Sequence, residues 1–463
     1  MKIILIILLA IGFVGADAQQ KANKKQLPIG IFDSGTGGLT VMEAILGLDA
    51  FNNSTGQPGA DGKLDFENEF YQYLADQANM PYGNYAAVNK TALLKEHVLK
   101  NLQFLLNKTF DKEQKNKWGK ADKPAVKMVV VACNTATAYV LSDMRKLVKQ
   151  QNKNVPVIGV IDAGTKAALA YQQKNKGTIA VFATAGTVAS NGYPRTLKEM
   201  AKQLGFTDSL SIVSQGGLGL AESIDRDFDY YSDTITKTRN AYRGPSFKNK
   251  NYTIDTALMD AYHFSRYNNQ LLCEYDPQTN NCLDMQLNDP GNYVRYHLVS
   301  LVEKMFQQQY SIPLNTIILG CTHYPYMKDT ISKVLAELYN YQKDGQYRYR
   351  HLLADHIELI DPSKETAKEA YIALHKLQGT IKNKTIMPNT FFISVPNKSL
   401  PEVQLQPDGW FTYDYKYGRK EGENKTYVRM VPFDDKNISA ATYNRFKQML
   451  PHVYAVLGKI SGK

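Results

Sequence analysis

The sequence predicts an α/β chain with mostly parallel sheets, and three observations carry that expectation. Short apolar runs of strand length alternate with stretches whose apolar residues recur at helical spacing, which is the rhythm of βαβ units. Polar, reactive residues stand where four of those runs end, and open α/β sheets bind ligands beyond the carboxyl ends of their strands. Two of the four ends share one form (an apolar run, a small residue, a cysteine, then hydrogen-bonding residues), which suggests two related halves. The bulk numbers are compatible with this. The 463 residues suggest about two to four domains. A hydrophobic content of 43% excludes wholesale disorder, and four cysteines exclude a disulfide-dense scaffold. No apolar run reaches the 18 residues of an ordinary membrane span. The formal charge of +11 raises the question of a nucleic-acid partner. The lysines, however, lack the interleaved aromatics of a nucleic-acid surface, so no such partner is expected.

Taken in order, residues 1–18 (MKIILIILLAIGFVGADA) have the form of an export leader. Lys2 is a minimal positive start, Ile3 to Val14 is an apolar run, and Ala16-Asp17-Ala18 fits a small-x-small cleavage rule. The expected product is periplasmic or secreted, with no membrane attachment after cleavage. Asn-x-Ser/Thr triplets such as Asn89-Lys90-Thr91 and Asn424-Lys425-Thr426 matter only in a eukaryotic secretory host. A strand over Pro28–Phe32 runs into Asp33-Ser34-Gly35-Thr36-Gly37-Gly38 and a helix from Leu39. Residues 49–65 are turn-rich. A strand at Tyr71–Leu74 precedes the turn Met80-Pro81-Tyr82-Gly83, and Leu94, Val98, Leu102 and Leu105 mark a helix. The lysine-rich stretch from Lys112 to Lys127 reads as a solvated surface loop before a strand at Met128–Val131. Strands at 155–161, 178–182 and 211–213 alternate with helices. Residues 225–290 break the rhythm, which returns with a helix over 293–308 and a strand at Thr316–Leu319. Glu358–Ile360 and Phe391–Val395 are further strands, 397–430 is polar and irregular, and 439–458 is a terminal helix.

The chemistry concentrates in 31–38, 80–83, Ala132-Cys133-Asn134-Thr135 and Gly320-Cys321-Thr322-His323. Two thiols presented to one substrate suit removal of the α-proton of an amino acid by one and its return by the other, with inversion and no cofactor. Asp33 and His323 stand beside the two thiols in sequence. The N–H groups of the Ser34–Gly38 turn are candidates to hold a carboxylate. A single buried cysteine is ordinarily structural, and Gly-Thr-Gly-Gly without a following Gly-Lys-[Ser/Thr] is no phosphate loop. It is the recurrence of the four ends together that favours chemistry. The other seven histidines show no ligand spacing, so no metal is expected.

These segments, together with Pro81-Tyr82-Gly83, Pro156-Val157-Ile158-Gly159-Val160 and Cys321-Thr322-His323-Tyr324-Pro325, resemble the cofactor-independent aspartate/glutamate racemases, glutamate racemase most of all. The resemblance implies two pseudo-symmetric α/β domains with the active site at their interface. On this chain they would be 27–156 plus 327–463, and 157–326 with the 225–290 insertion. It implies catalytic thiols at Cys133, acting on the D-enantiomer, and Cys321, acting on the L-enantiomer, assisted by Asp33 and His323. Ser34, Tyr82, Gly83, Asn134, Thr135 and Thr322 would hold the substrate. Asp162 stands where the family often has glutamate and is a further assisting carboxylate, while Gln215-Gly216-Gly217 lies where many relatives carry another cysteine. With two cysteines assigned to chemistry, Cys273 and Cys282 are expected to pair as a disulfide, closing a loop that contributes slightly under ~3 kcal/mol.

The function expected is thus an exported amino-acid racemase interconverting L- and D-glutamate, the D-enantiomer being a peptidoglycan (cell-wall) precursor, with no cofactor and a small-molecule amino acid as partner. Alternatives are a racemase for aspartate or another amino acid, a periplasmic binder of acidic amino acids, and a one-cysteine decarboxylase or isomerase. The insertion is open to reading as a lid, a specificity element or the surface of a homodimer.

Overall fold

The computed structural model describes residues 25–108, 123–377 and 388–461, apart from 408, 424, 435 and 439. The expected leader lies outside the described residues, as does most of the lysine-rich stretch. The chain forms two compact units, one of residues 1–160 with 363–463 and one of Ile161–Pro362. The first unit supplies β1 (Ile29–Asp33), β2 (Tyr71–Ala75), β3 (Met128–Val131) and β4 (Val157–Gly159). The second supplies β5 (Thr178–Ala183), β6 (Ile212–Gly216), β7 (Leu271–Tyr275), β8 (Cys282–Leu287), β9 (Leu314–Gly320), β10 (Gln342–Lys343), β11 (Gln346–Tyr347) and β12 (Leu353–Ile360). The chain then returns to the first unit for β13 (Thr390–Pro396) and β14 (Val428–Pro432).

The sheet of the first unit has the order β14-β13-β2-β1-β3-β4. It is parallel throughout except for β14 at its edge. Strand periodicity sends Ile29 and Ile31 to one face and Phe32 to the other. The first face packs under the helices Leu39–Leu46, Pro362–Lys376, Ala440–Met449 and Pro451–Ser461, and the second under Thr91–Leu106 and Asn134–Gln150. A strand covered on both faces must be apolar at nearly every position, as Met-Val-Val-Val in β3 is.

The second unit has a four-stranded, all-parallel sheet, β12-β9-β5-β6. Its core is built largely on the helix Pro290–Gln307 and the strands β5 and β9. The insertion at 225–290 is an irregular run that ends in the β7–β8 hairpin, and Cys273 and Cys282 are joined across it as a disulfide.

Two boundaries differ from expectation. The chain leaves the first unit after Val160 and returns to it at Ser363, not at 327. The reason is pairing: β12 joins β9, which keeps the helix Lys328–Asn340 and everything up to Ile360 with the second sheet. The expected terminal helix is two helices, Ala440–Met449 and Pro451–Ser461, meeting at Leu450-Pro451, where proline cannot continue the first.

Candidate active site

In the first unit, β1 ends at Asp33 in the middle of the sheet. Asp33 Oδ2 accepts the N–H groups of Gly35 (3.1 Å) and Gly38 (3.0 Å). These donors come from the turn expected to hold a substrate carboxylate, and two of them are taken by the chain's own. The approach needs glycine, because a Cβ on Gly38 would lie 2.4 Å from Asp33 Cβ. Burial raises the Asp33 carboxyl pKa, against the opposing pull of the same N–H groups.

Cys133 follows the adjacent β3. It is the N-cap of the helix Asn134–Gln150, where its Sγ accepts the N–H of Ala136 at 3.4 Å. Its thiol donates to Ser34 Oγ at 3.6 Å. Burial, with the neighbouring Asp33 charge, pushes the thiol up to about 12. Cys133 is therefore protonated in the resting site and suited to deliver a proton. Asn134 and Thr135 form the first turn of the same helix and are half-buried.

Tyr82 departs from its expected role. Its hydroxyl is buried, donates to Asp76 Oδ2 at 2.5 Å, and accepts from Asn101 Nδ2 at 3.1 Å. Asp76 also receives Asn79, Asn101 and Ser394, and its own N–H donates to the carbonyl of Asp33 at 2.9 Å. The Tyr82 side chain is thus a structural post, and Gly83 opens the helix Gly83–Ala87. The C-terminal segment braces this turn: Lys416 Nζ donates to the Met80 carbonyl at 2.6 Å, Tyr417 OH to that of Pro81 at 3.3 Å, and Arg419 to Asn79 Oδ1 at 2.7 Å.

In the second unit, Cys321 follows β9, central in its sheet, and is buried as a free thiol like Cys133. Its Sγ lies 3.8 Å from His323 Nδ1, which also meets Thr322 Oγ1 at 3.4 Å. The other ring nitrogen, Nε2, is 3.1 Å from Asp225 Oδ1. Burial alone would pull the imidazole pKa down, but the hydrogen bonds to Asp225 and Cys321 outweigh it and lift the value to about 10. The unit therefore holds an aligned thiol, imidazolium and carboxylate. Asp162, the further assisting carboxylate expected from the sequence, sits half-buried in the first turn of the helix Val160–Gln172. Gly217, which follows the end of β6 at Gln215-Gly216, packs against the site's Tyr324. Tyr324 OH donates to the Gly217 carbonyl at 3.1 Å, and a Cβ on Gly217 would lie 2.1 Å from that hydroxyl.

Sequence reasoning missed Asp225 and Asp76. Asp76 directly follows β2 much as Asp33 ends β1, so the signal that found one was present for the other. Asp225 caps a helix of five residues, Leu220–Ile224, too short to leave a periodic trace. Among the described residues, no group of three or more His, Cys, Asp or Glu side chains is placed to hold a metal ion.

No family model matches the chain. A glutamate racemase of Limosilactobacillus fermentum is 24% identical over 385 residues, covering 83% of this chain and 92% of that protein. One from Levilactobacillus brevis (strain ATCC 367) is 32% identical over 237 residues, covering 51% of this chain and 67% of its own. The crystal structure of a glutamate racemase isoform, RacE1, from Bacillus anthracis superposes with a TM-score of 0.45 at 23% identity, over 80% of this chain and 89% of that one.

Proposed function

The chain belongs to the aspartate/glutamate racemase family, and from that membership we propose that it interconverts L- and D-glutamate with Cys133 and Cys321 as its two acid–base groups. One observation carries the reading: each unit ends a central parallel strand in a buried free thiol, and each thiol has a proton-handling partner, Asp33 and Ser34 for one and His323 with Asp225 for the other. In the L-to-D direction, Cys321 as thiolate takes the Cα proton and the resulting carbanion receives a proton from the Cys133 thiol. The two sulfurs exchange protonation states, and the reverse reaction restores them. The imidazolium of His323 makes a thiolate at Cys321 an attractive neighbour. The high pKa of Cys133 suits it to donate the proton in that direction. Ser34, Gly83, Asn134, Thr135 and Thr322, with the backbone of Tyr82, are the groups we assign to substrate binding.

The test is hydrogen exchange in D₂O. The enantiomers have equal free energy, so any variant must lose kcat/KM equally in both directions. Asymmetry therefore appears only in which enantiomer exchanges its Cα hydrogen. Cys321→Ser and Cys133→Ser are each expected to cut racemisation by about 10²–10⁴-fold, since a hydroxyl is a far weaker base. Cys321→Ser should still exchange D-glutamate, and Cys133→Ser should still exchange L-glutamate. Tight binding of glutamate by the parent protein with no exchange of either enantiomer would make it a binder on a racemase fold. Exchange with aspartate alone would move the substrate assignment.

We assign residues 1–18 as an export leader, a reading supported by the Cys273–Cys282 disulfide, a bond kept in oxidising compartments. Amino-terminal sequencing of protein from its source should begin at Gln19, and a mature chain retaining the apolar run would refute the assignment.

A further inference from the structure

The chain holds 32 asparagines, nine of them in Asn-x-Ser/Thr triplets: 52, 53, 89, 107, 251, 383, 397, 424 and 437. Its serine and threonine content would place about three there by chance, so the excess of this acceptor pattern needs an explanation. The structure shows where the excess lies. The seven whose asparagines are described, Asn52, Asn53, Asn89, Asn107, Asn251, Asn397 and Asn437, all fall outside helices and strands, and none is buried. The buried asparagines Asn79, Asn101, Asn288, Asn292 and Asn315 all lack the hydroxyl residue two positions on. None of the nine lies in the segments 33–38, 80–83, 131–136 or 319–325 that carry the proposed chemistry. The pattern is thus enriched, absent from the interior among the described residues, and outside the sequence segments of the site.

Resting on the export leader assigned above, we propose that the protein passes through a eukaryotic secretory route and is N-glycosylated there, with Asn89 and Asn251 as principal acceptors. Asn89 is exposed at a left-handed turn (φ 58°) between the helices Gly83–Ala87 and Thr91–Leu106, and Asn251 is exposed in the 225–290 insertion. By contrast, Asn397 Nδ2 donates to the Thr426 carbonyl and Asn437 Nδ2 to that of Pro432, so a glycan there would break native hydrogen bonds. The co-reactant is a lipid-linked pyrophosphoryl oligosaccharide. The bond from its first sugar carbon to the pyrophosphate oxygen breaks, a bond from that carbon to Asn Nδ2 forms, and the amide proton leaves with the lipid pyrophosphate. A glycan at these positions covers exposed turns with a bulky, hydrated group.

Protein purified from its source organism should be weighed intact before and after peptide-N-glycosidase treatment in heavy-oxygen water, which marks each released site as labelled aspartate. The expected result is a loss of mass with label at Asn89 and Asn251, and abolition of most of the loss by Asn89→Gln with Asn251→Gln. An intact mass equal to the bare mature polypeptide, or label confined to Asn397 and Asn437, overturns the proposal. Racemisation assayed on the same sample is a separate readout, so neither result decides the other.

Discussion

At Cys321 the proposed chemistry depends on Asp225, which meets His323 at the ring nitrogen remote from the sulfur. Asp225 helps keep His323 protonated, so Asp225→Asn leaves burial opposed by Cys321 alone and lowers the imidazole pKa from about 10. The sign follows from which form the fold favours. A histidine whose folded pKa is raised contributes stability in full below its ordinary value near ~6.5. That contribution is lost as pH rises through about 10. The alkaline limb of kcat/KM should therefore move to lower pH in the variant, while the acid limb stays. A profile superimposable on the parent's would remove Asp225 from the proton path. The sequence displayed Cys133, Cys321, Asp33 and His323 because each stands within a few residues of a strand end, where local pattern suffices. It did not display the His323–Asp225 pair, because 98 positions separate the partners and only the folded second unit brings them together.

Among elements, the turn after β2 is the clearest case of structure reassigning a motif. Pro81-Tyr82-Gly83 reads as a ligand-binding segment, yet the Tyr82 hydroxyl belongs to the buried Asp76 network. Tyr82→Phe deletes one of the donors to a fully buried carboxylate and should cost about 1–3 kcal/mol. Chemical denaturation would measure the loss, and KM should hold, because the backbone we assign to substrate binding is still braced by Lys416 and Tyr417. A raised KM with unchanged stability would restore Tyr82 to the binding set. The strands themselves were legible, since β1, β3, β5 and β9 are near-continuous apolar runs between turn signals. The bracing segment was not. Residues 397–430 are polar and aperiodic, and their order comes from tertiary contacts such as the Arg419 guanidinium against Phe411, Tyr415 and Tyr427.

On the scale of the whole molecule, the second unit is one continuous stretch and the first is not. The first unit's sheet is completed by β13 and β14, and one of its faces is closed by Tyr371, Leu374, Phe446 and Leu457 from after the return at Ser363. A chain ended after Pro362 should therefore keep a protease-resistant fragment of about residues 161–362 and lose the region 25–160. Equal resistance of both regions would show that the early strands stand without their late partners. Sequence placed the two halves but set the return too early, because the pairing of β12 with β9 is long-range and leaves no local mark. This discontinuity also fixes a timetable for synthesis. The N–H of Tyr71, at the start of β2, is met by Asn389 Oδ1, 318 residues downstream. At ordinary elongation rates that partner emerges on the order of half a minute later. Until then one face of β1 to β3 lacks the helices that follow Ser363, so the first sheet to be started is the last to be closed.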